Sequence, residues 1–439
     1  MKIAFLPIDN RPVCHQLPQM IVDINPEIEF FIPNIDLLGD LTKTANIDGL
    51  FAWLESLPKV DALILSLDTI AYGGLIPSRR SPETFEQIKK RIEKLRKCII
   101  NLGAKTYAFS SIMRISNNNI NEEEKEYWNK YGTKIFNYSY NFHKSGTPNT
   151  EIPQEILDDY LATRKRNFEI NKLYLNWQKE ETLNTLIFSK DDCAEYGLNV
   201  KEAQELEALG GFTKTGADEI PLSLLARAYK RHLKICPVFI EKGSKNLISN
   251  YEDISIEKSV LSQIELSGCK LAQEESADLT LYVNNFLKNQ GEIVMKHDTE
   301  PFSGKWQKPT VNYAIADVRF ANGADNELVK QILEQKIDQH FLGYSAWNTS
   351  ANTLGSLLCA LKFTKTQNEA FKKLQAIRLL DDWAYQANVR QQLTQPNIEE
   401  LTEKMQPYED IVKKFLGINF RTKYSFPWNR LFEVKIELS

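Results

Sequence analysis

Two adjacent carboxylates, Asp191 and Asp192, close an apolar run in the segment FSKDDCAEYGL. Neighbouring side chains at a strand end enter different surroundings, so one carboxyl can be desolvated and protonated while the other stays ionised. Such a split provides an acid beside a base or polariser, which is the chemistry of glycosidic-bond cleavage. The competing role is a helix N-terminal cap before NVKEAQELEAL, and the residue types alone leave both open.

Other polar residues also follow apolar runs: Asp9 with Arg11, Asp36, Asp68 with Tyr72, Arg114, Asn284 with Asn285, Asp317, and Trp347 with Asn348. Any one of them serves as a cap or turn former. As a set they are better explained by a ligand, because parallel α/β folds bind ligands just outside the carboxyl ends of their strands. In TGADEIP, Asp218 and Glu219 precede a helix, whose dipole favours acidic residues without any catalytic role; Glu219 ranks lower, as a substrate contact or metal ligand. In GYSAWNTSANTLG, Trp347 offers an aromatic face for a sugar, and Asn348 and Asn352 offer two-way hydrogen bonds to hydroxyls. A nucleotide suits the same groups, and a buried core indole is the plainer use of Trp347.

Several chemistries lack their signatures. DTIAYGGLIPSRR has two adjacent glycines but neither GxGxxG nor a GK[ST] ending, so no nucleotide cofactor is called for; Tyr72 and Arg79 are its ligand-facing candidates, and Gly73 and Gly74 serve the turn. His15, His143, His232, His297 and His340 form no HxH or HExxH pair, and the six cysteines form no CxxC. A GxSxG elbow is absent. A metal reading survives only as oxygen ligation, by Asp9, Asp68, Asp192 and Glu219.

The positioning elements follow from hydropathy. Short apolar runs at Lys2–Pro7, Ile28–Ile32, Ala62–Leu67, Thr106–Ser110, Thr185–Phe188, Ile235–Ile240, Leu279–Val283, Tyr313–Val318 and Leu342–Ala346 read as buried parallel strands. SPETFEQIKKRIEKLRKCIINLG between two of them keeps helical spacing and stops at Gly103, as a βαβ crossover does. PLSLLARAYKRHL, ELVKQILEQKIDQHFL and RLLDDWAYQANVRQQL read as helices. Nine strands are one more than a (β/α)8 barrel requires, so the count leaves the topology open; the first expectation is an α/β fold with a (β/α)8-like barrel and an extra element, the alternative two doubly wound lobes with a cleft. The expected regions are an N-terminal α/β region at 1–235 with a helical insertion at about 121–181, a second α/β region at 236–365, and a helical C-terminal region at 366–439 ending in an edge strand, LFEVKIEL.

Composition narrows the partners. Lys and Arg number 54 against 58 Asp and Glu, a formal charge of -4, so neither nucleic acid nor an anionic membrane is an expected partner. The N-terminus lacks a signal peptide's long apolar segment and no run is long enough to span a bilayer, so the expected location is the cytoplasm.

The motifs LPIDNRP, LDTIAYGGLIPSR, KDDCAEYGL, GADE, IADVRFANGAD and GYSAWNTSANTLG, in that order, resemble the bacterial family of unknown function DUF4127, over residues 1 to about 360. Cys193 departs from the small or amide residue that the third motif leads one to expect. A looser similarity, confined to the KDD segment and a later Trp-Asn segment, is to retaining β-N-acetylhexosaminidases. It implies that the first Asp polarises the substrate's acetamido group and the second protonates the leaving oxygen.

These readings converge on a carbohydrate-active hydrolase of a small-molecule or oligosaccharide substrate. Asp191 and Asp192 are its catalytic pair; Asp9, Arg11, Asp68, Tyr72, Arg114, Glu219, Asn285, Asp317, Trp347, Asn348 and Asn352 hold the substrate. The rivals are a divalent-metal-dependent hydrolase or transferase and a non-catalytic sugar- or nucleotide-binding protein.

Overall fold

The structure is a computed structural model that describes residues 1–146, 151–191 and 194–439. The chain clusters into two compact units, Met1–His15 with Glu27–Leu224, and Gln16–Pro26 with Leu225–Ser439.

The first unit is built on six parallel strands, β1 (Lys2–Leu6), β2 (Glu29–Phe31), β3 (Ala62–Ser66), β4 (Lys105–Ile112), β5 (Thr185–Lys190) and β6 (Thr213–Thr215), in the order β2-β1-β3-β4-β5-β6. Every residue of β3, ALILS, is buried. That continuous apolar run is what a parallel strand covered by helices on both faces requires. Helix α1 (Gln16–Asp23) belongs to the second unit; α2 (Ile47–Ser56), α3 (Leu67–Tyr72), α4 (Leu75–Arg80), α5 (Phe85–Leu102), α6 (Trp128–Ser145), α7 (Gln154–Lys179) and α8 (Leu198–Ala208) belong to the first. The crossover helix α5 starts with a reciprocal capping box between Thr84 and Gln87 and stops at Gly103, whose φ of 60° ends it in the left-handed region. Its Ile88, Ile92 and Leu95 pack on Leu63 and Leu65 of β3 within one core. The expected insertion is the α6–α7 pair, whose Trp128, Ile135, Leu157 and Tyr160 share an apolar cluster with Met113 and Ile115 after β4 and Leu198 of α8.

Helix α9 (Ile220–Ala228) leads into the second unit, whose parallel sheet runs β13-β11-β9-β7-β8. Its strands are β7 (Lys234–Phe239), β8 (Lys270–Leu271), β9 (Leu279–Asn284), β11 (Tyr313–Asp317) and β13 (Phe341–Ser345). Two-residue strands β10 (Gly291–Glu292) and β12 (Phe320–Ala321) pair separately, and β14 (Thr422–Ser425) and β15 (Lys435–Leu438) form an antiparallel pair. The helices are α10 (Ile256–Leu266), α11 (Asn326–Leu333), α12 (Ser350–Phe363), α13 (Glu369–Arg378) and α14 (Ile398–Leu416), and α1 packs on α12 and α13. Residues 366–439 cluster with this unit.

The barrel expected first is not formed: both sheets are open. In each, the chain lays its third strand on the far side of the first, beside β1 and beside β7, so the sheet grows in two directions and leaves two edges. The edges at β2, β6 and β8 are two or three residues long, and β6 and β8 read TKT and KL. Edges so short, with Lys in two of them, resist the pairing that would close a barrel. The strand order is that of two doubly wound sheets. Helices also end sooner than their periodicity suggested, α9 at Ala228 and α11 at Leu333, and Leu379–Val389 is an eleven-residue π-helix.

The Gly-Gly turn after α3 is a point of close approach. Gly73 has φ of 91°, its carbonyl accepts the Ala45 N–H at 2.9 Å, and an added Cβ would come within 2.8 Å of the Thr44 Cβ. Gly73→Ala should therefore cost about 1–3 kcal/mol in urea unfolding. A cost below about 0.5 kcal/mol would show that the 39–45 loop moves freely aside.

Candidate functional site

The carboxyl edge of the six-stranded sheet collects most of the first unit's candidates. After β1 the chain turns back on itself: the Arg11 N–H and Nε donate to the two oxygens of Asp9, at 3.0 and 2.9 Å. The same guanidinium makes a bidentate pair with Asp218, at 3.0 and 2.6 Å, bringing the segment after β6 to the end of β1. All three side chains are buried. Burial raises the Asp218 carboxyl above its ordinary range; Arg11 opposes the rise, and the negative charges of Asp9 and Asp191 add to it. Asp191 is thus electrostatically coupled to this triad.

Glu219 has a local task. Its Oε2 accepts the Ala217 N–H at 3.2 Å, and its carboxylate lies so close to Gly216, φ 116°, that any Cβ there would collide. Asp218 makes a long-range bond, to Arg11. The helix-dipole reading of ADE concealed that bond.

Asp191 is no helix cap. Helix α8 begins well downstream at Leu198, with Gly197 as an N-cap that has no side-chain bond. Its first free N–H groups are taken by the insertion: His143 Nδ1 accepts from Gly197 at 3.1 Å and Ser139 Oγ from Leu198 at 2.7 Å, both from α6. Arg164 of α7 adds a two-pronged pair with Glu202 of α8, at 2.9 and 2.6 Å, and donates to the Met113 carbonyl past the end of β4. The insertion therefore braces the segment that follows β5. Asp191 itself keeps 31% side-chain exposure and pairs with Arg114 at 3.4 Å. Arg114 also binds Glu123 at 2.8 Å and Glu124 at 3.3 Å, and Glu124 pairs with buried Arg79 at 2.8 Å. Asp192 and Cys193 lie outside the described residues.

Asp68, on the first turn of α3, is 1% exposed. Its Oδ2 accepts the Ser111 N–H at 2.8 Å and its Oδ1 the Ser110 hydroxyl at 3.1 Å. Burial nevertheless pushes its carboxyl up to about 6, against the lowering effect of these bonds and of Arg79. Ser189 of β5 donates to the Ser111 hydroxyl at 3.3 Å, so hydroxyls lead across β4 from Asp68 toward the strand that ends before Asp191. Around Asp68 the hydroxyls of Tyr72 and Tyr174, whose ionisation its charge opposes, are buried without a hydrogen-bond partner, as is Arg79 Nη2. Tyr72 also lines a cavity of about 380 Å³ together with Asp40, Thr42, Ile47, Arg80 and Glu83.

The remaining candidates belong to the second unit. Asn285 donates to the Glu241 carbonyl and accepts its N–H, at 3.0 and 2.9 Å. Asp317 accepts from Asn284, Tyr344 and the Asp325 N–H, at 2.8, 2.9 and 2.8 Å, and burial, with Asp325 beside it, lifts its carboxyl to about 7. Trp347 is 4% exposed. Asn348 has φ of 60° and its carbonyl accepts the Asn322 N–H at 2.8 Å. Asn352 donates to Thr349 at 3.1 Å, while its Oδ1 is buried and unpartnered.

A family model described as "Protein of unknown function (DUF4127)" matches residues 3–437. The chain belongs to the DUF4127 family. No curated protein and no solved structure matches it. Among the described residues of this DUF4127 protein, no three His, Cys, Asp or Glu side chains gather as a metal centre and no helix is long and apolar enough to cross a membrane.

Sequence reasoning missed Asp218 as a partner of Arg11, and Glu123, Glu124, Ser110 and Ser111. The first carried a signal, an unmatched acid beside Glu219. The others follow no apolar run or lie within one, where spacing carries no information about contacts across strands.

The Asp68 carboxyl gives a testable linkage. Its folded value, about 6, exceeds the unfolded 3.8, so the folded chain binds more protons between these values and loses stability as pH rises through that window. Asp68→Asn should remove this fall, leaving the variant about 3 kcal/mol less penalised above pH 6 than the parent chain. Parallel stability–pH curves for the two proteins would refute the raised value.

Proposed function

We propose that this protein is a carbohydrate-active hydrolase whose acid–base chemistry takes place at the carboxyl edge of the first unit's sheet. The observation that carries the reading is the divided environment of its carboxylates. Asp191 is part-open and held by Arg114, whereas Asp68 is buried with its carboxyl raised to about 6. Paired groups whose surroundings separate their protonation states are how one site supplies both an acid and an ionised partner.

In this scheme Asp191 polarises the substrate or stabilises positive charge at the sugar's anomeric carbon, with Arg114 fixing its orientation. Asp68 is the proton reservoir, exchanging through the Ser111 and Ser189 hydroxyls toward the site. Ser189 and Asp191 are two residues apart, which in an extended chain places both on one side. Asp192, adjacent in sequence, is the second candidate for proton delivery. Arg11 and Asp9, bonded to each other and to Asp218, fix the chain at the end of β1.

The metal-dependent alternative is less well supported by the geometry. Asp9 and Asp68 already spend both oxygens on protein donors, and Glu219 folds back on Ala217. Dialysis against a chelator should leave turnover of an aryl glycoside unchanged; its loss, restored by a divalent cation, would favour the metal reading.

A screen of aryl glycosides at pH 5 to 7 should find turnover that declines as pH rises through about 6, where the Asp68 acid is lost. Asp191→Asn should lower kcat by roughly 100-fold or more with unchanged thermal unfolding. Near-normal turnover in both Asp191→Asn and Asp192→Asn would end the hydrolase assignment to this segment.

A further inference from the structure

The second unit contains a polar cluster that the proposed hydrolysis does not use. The π-helix Leu379–Val389 turns two adjacent carboxylates, Asp381 and Asp382, into the interior beside the end of β13. Regular π-helix of this length is rare, and π-type turns concentrate at functional positions. Asp382 Oδ2 accepts the Ala346 N–H at 2.7 Å and the Ser345 hydroxyl at 3.4 Å, and its carbonyl accepts the Ala324 N–H at 3.1 Å. Gly323, φ 154°, approaches so closely that an added Cβ would lie 3.1 Å from the Ala387 backbone. The π-helix is therefore locked onto the two loops that follow β11 and β13, at the sheet edge where doubly wound folds bind ligands.

Its hydrogen bonding is incomplete in a patterned way. Arg378 is 7% exposed and points at both carboxylates, 3.5 Å from each, yet its Nε and Nη1 have no hydrogen-bond partner. Asp382 Oδ1 accepts no hydrogen bond and has only the 3.5 Å ion pair with Arg378 Nη1, while Asn352 Oδ1 is buried and unpartnered. Asn352 lies one turn before Ser356 on α12, and Ser356 meets Ser345, which meets Asp382, with both hydroxyl contacts at 3.4 Å. Arg378 Nε and Asn352 Oδ1 thus have no partner, and Nη1 and Asp382 Oδ1 share only a long ion pair; buried polar groups left so weakly satisfied ask for one.

We infer that the carboxyl edge of the second sheet, at Arg378, Asp382 and Asn352, is a binding site for a neutral polyhydroxyl ligand, a sugar or cyclitol. A hydroxyl both donates and accepts, and a vicinal diol can take the Arg378 N–H groups on one oxygen while donating from the other to Asp382. Charge decides against an acid. Arg378 already faces two carboxylates, so the cluster has no spare positive charge for a carboxylate or phosphate. The arrangement does not depend on hydrolysis in the first unit.

The test is hydrogen–deuterium exchange on the full chain, with N-acetylglucosamine, glucosamine and glucuronate as neutral, cationic and anionic probes at millimolar concentration. N-acetylglucosamine should slow exchange in peptides spanning 344–353 and 378–390, and calorimetry should show its affinity reduced about 10-fold by Asp382→Asn and several-fold by Asn352→Ala. Asn352 Oδ1 makes no bond in the fold, so the second variant remains informative if the first fails to fold. Asp191→Asn should retain this protection, which keeps the result separate from the hydrolase reading. Protection by glucuronate instead of the neutral sugar, protection only outside these peptides, none from any probe, or unchanged affinity in both variants would overturn the site.

Discussion

Arg11 is the side chain on which the first unit's candidate site depends. It lies between Asp9, two residues before it, and Asp218, on the segment that leaves the last strand, and all three are buried. β1 and β6 are separated by three strands in the sheet, so no backbone ladder joins them. The guanidinium fork does, and only a planar group with several donors can satisfy two carboxylates at once. Removing one partner of such a buried group leaves an uncompensated charge at a cost of about 3–5 kcal/mol. Electrostatics thus joins the two ends of the sheet's carboxyl edge where no strand pairing does.

The same edge illustrates how burial and pairing distribute roles among chemically identical groups. Asp9 and Asp218 are tied to Arg11, Asp191 leans on Arg114, Glu219 closes its own turn, and Asp68 is enclosed with backbone and hydroxyl donors. Burial brings the Asp68 carboxyl to about 6 and raises that of Asp218 as well. The α6–α7 insertion matters here because it supplies the acceptors that the first N–H groups of α8 would otherwise lack, and so holds the segment around Asp191 without spending the aspartate as a cap.

The second unit repeats the strand order but not the distribution. Asp317, Asp325, Asn284 and Arg319 form a closed network in which each group meets several others, while Arg378 and Asp382 remain partly unsatisfied. A saturated network stabilises its surroundings; an unsaturated one in the same sheet edge is what a ligand completes.

What the sequence alone determined is whatever follows from local periodicity. Nine apolar runs became strands, α5 ended at Gly103, and the polar residues after β1, β3, β5, β9, β11 and β13 marked the carboxyl edges, because a doubly covered parallel strand must be apolar throughout and must end in polar residues. The DUF4127 motifs were legible for the same reason, as contiguous words. Tertiary structure alone decided the rest. Open sheets in place of a barrel, α1 assigned to the second unit, and short strands β6 and β8 depend on which strands pair, and TKT or KL carries no periodicity to read. The π-helix differs from an α-helix by one residue in its hydrogen-bond register, which side-chain spacing does not reveal. Asp218 found Arg11 across about two hundred residues, and Asp68 acquired its proton affinity from burial among Ser110, Ser111 and Arg79; both are properties of enclosure, and enclosure exists only once the chain has folded.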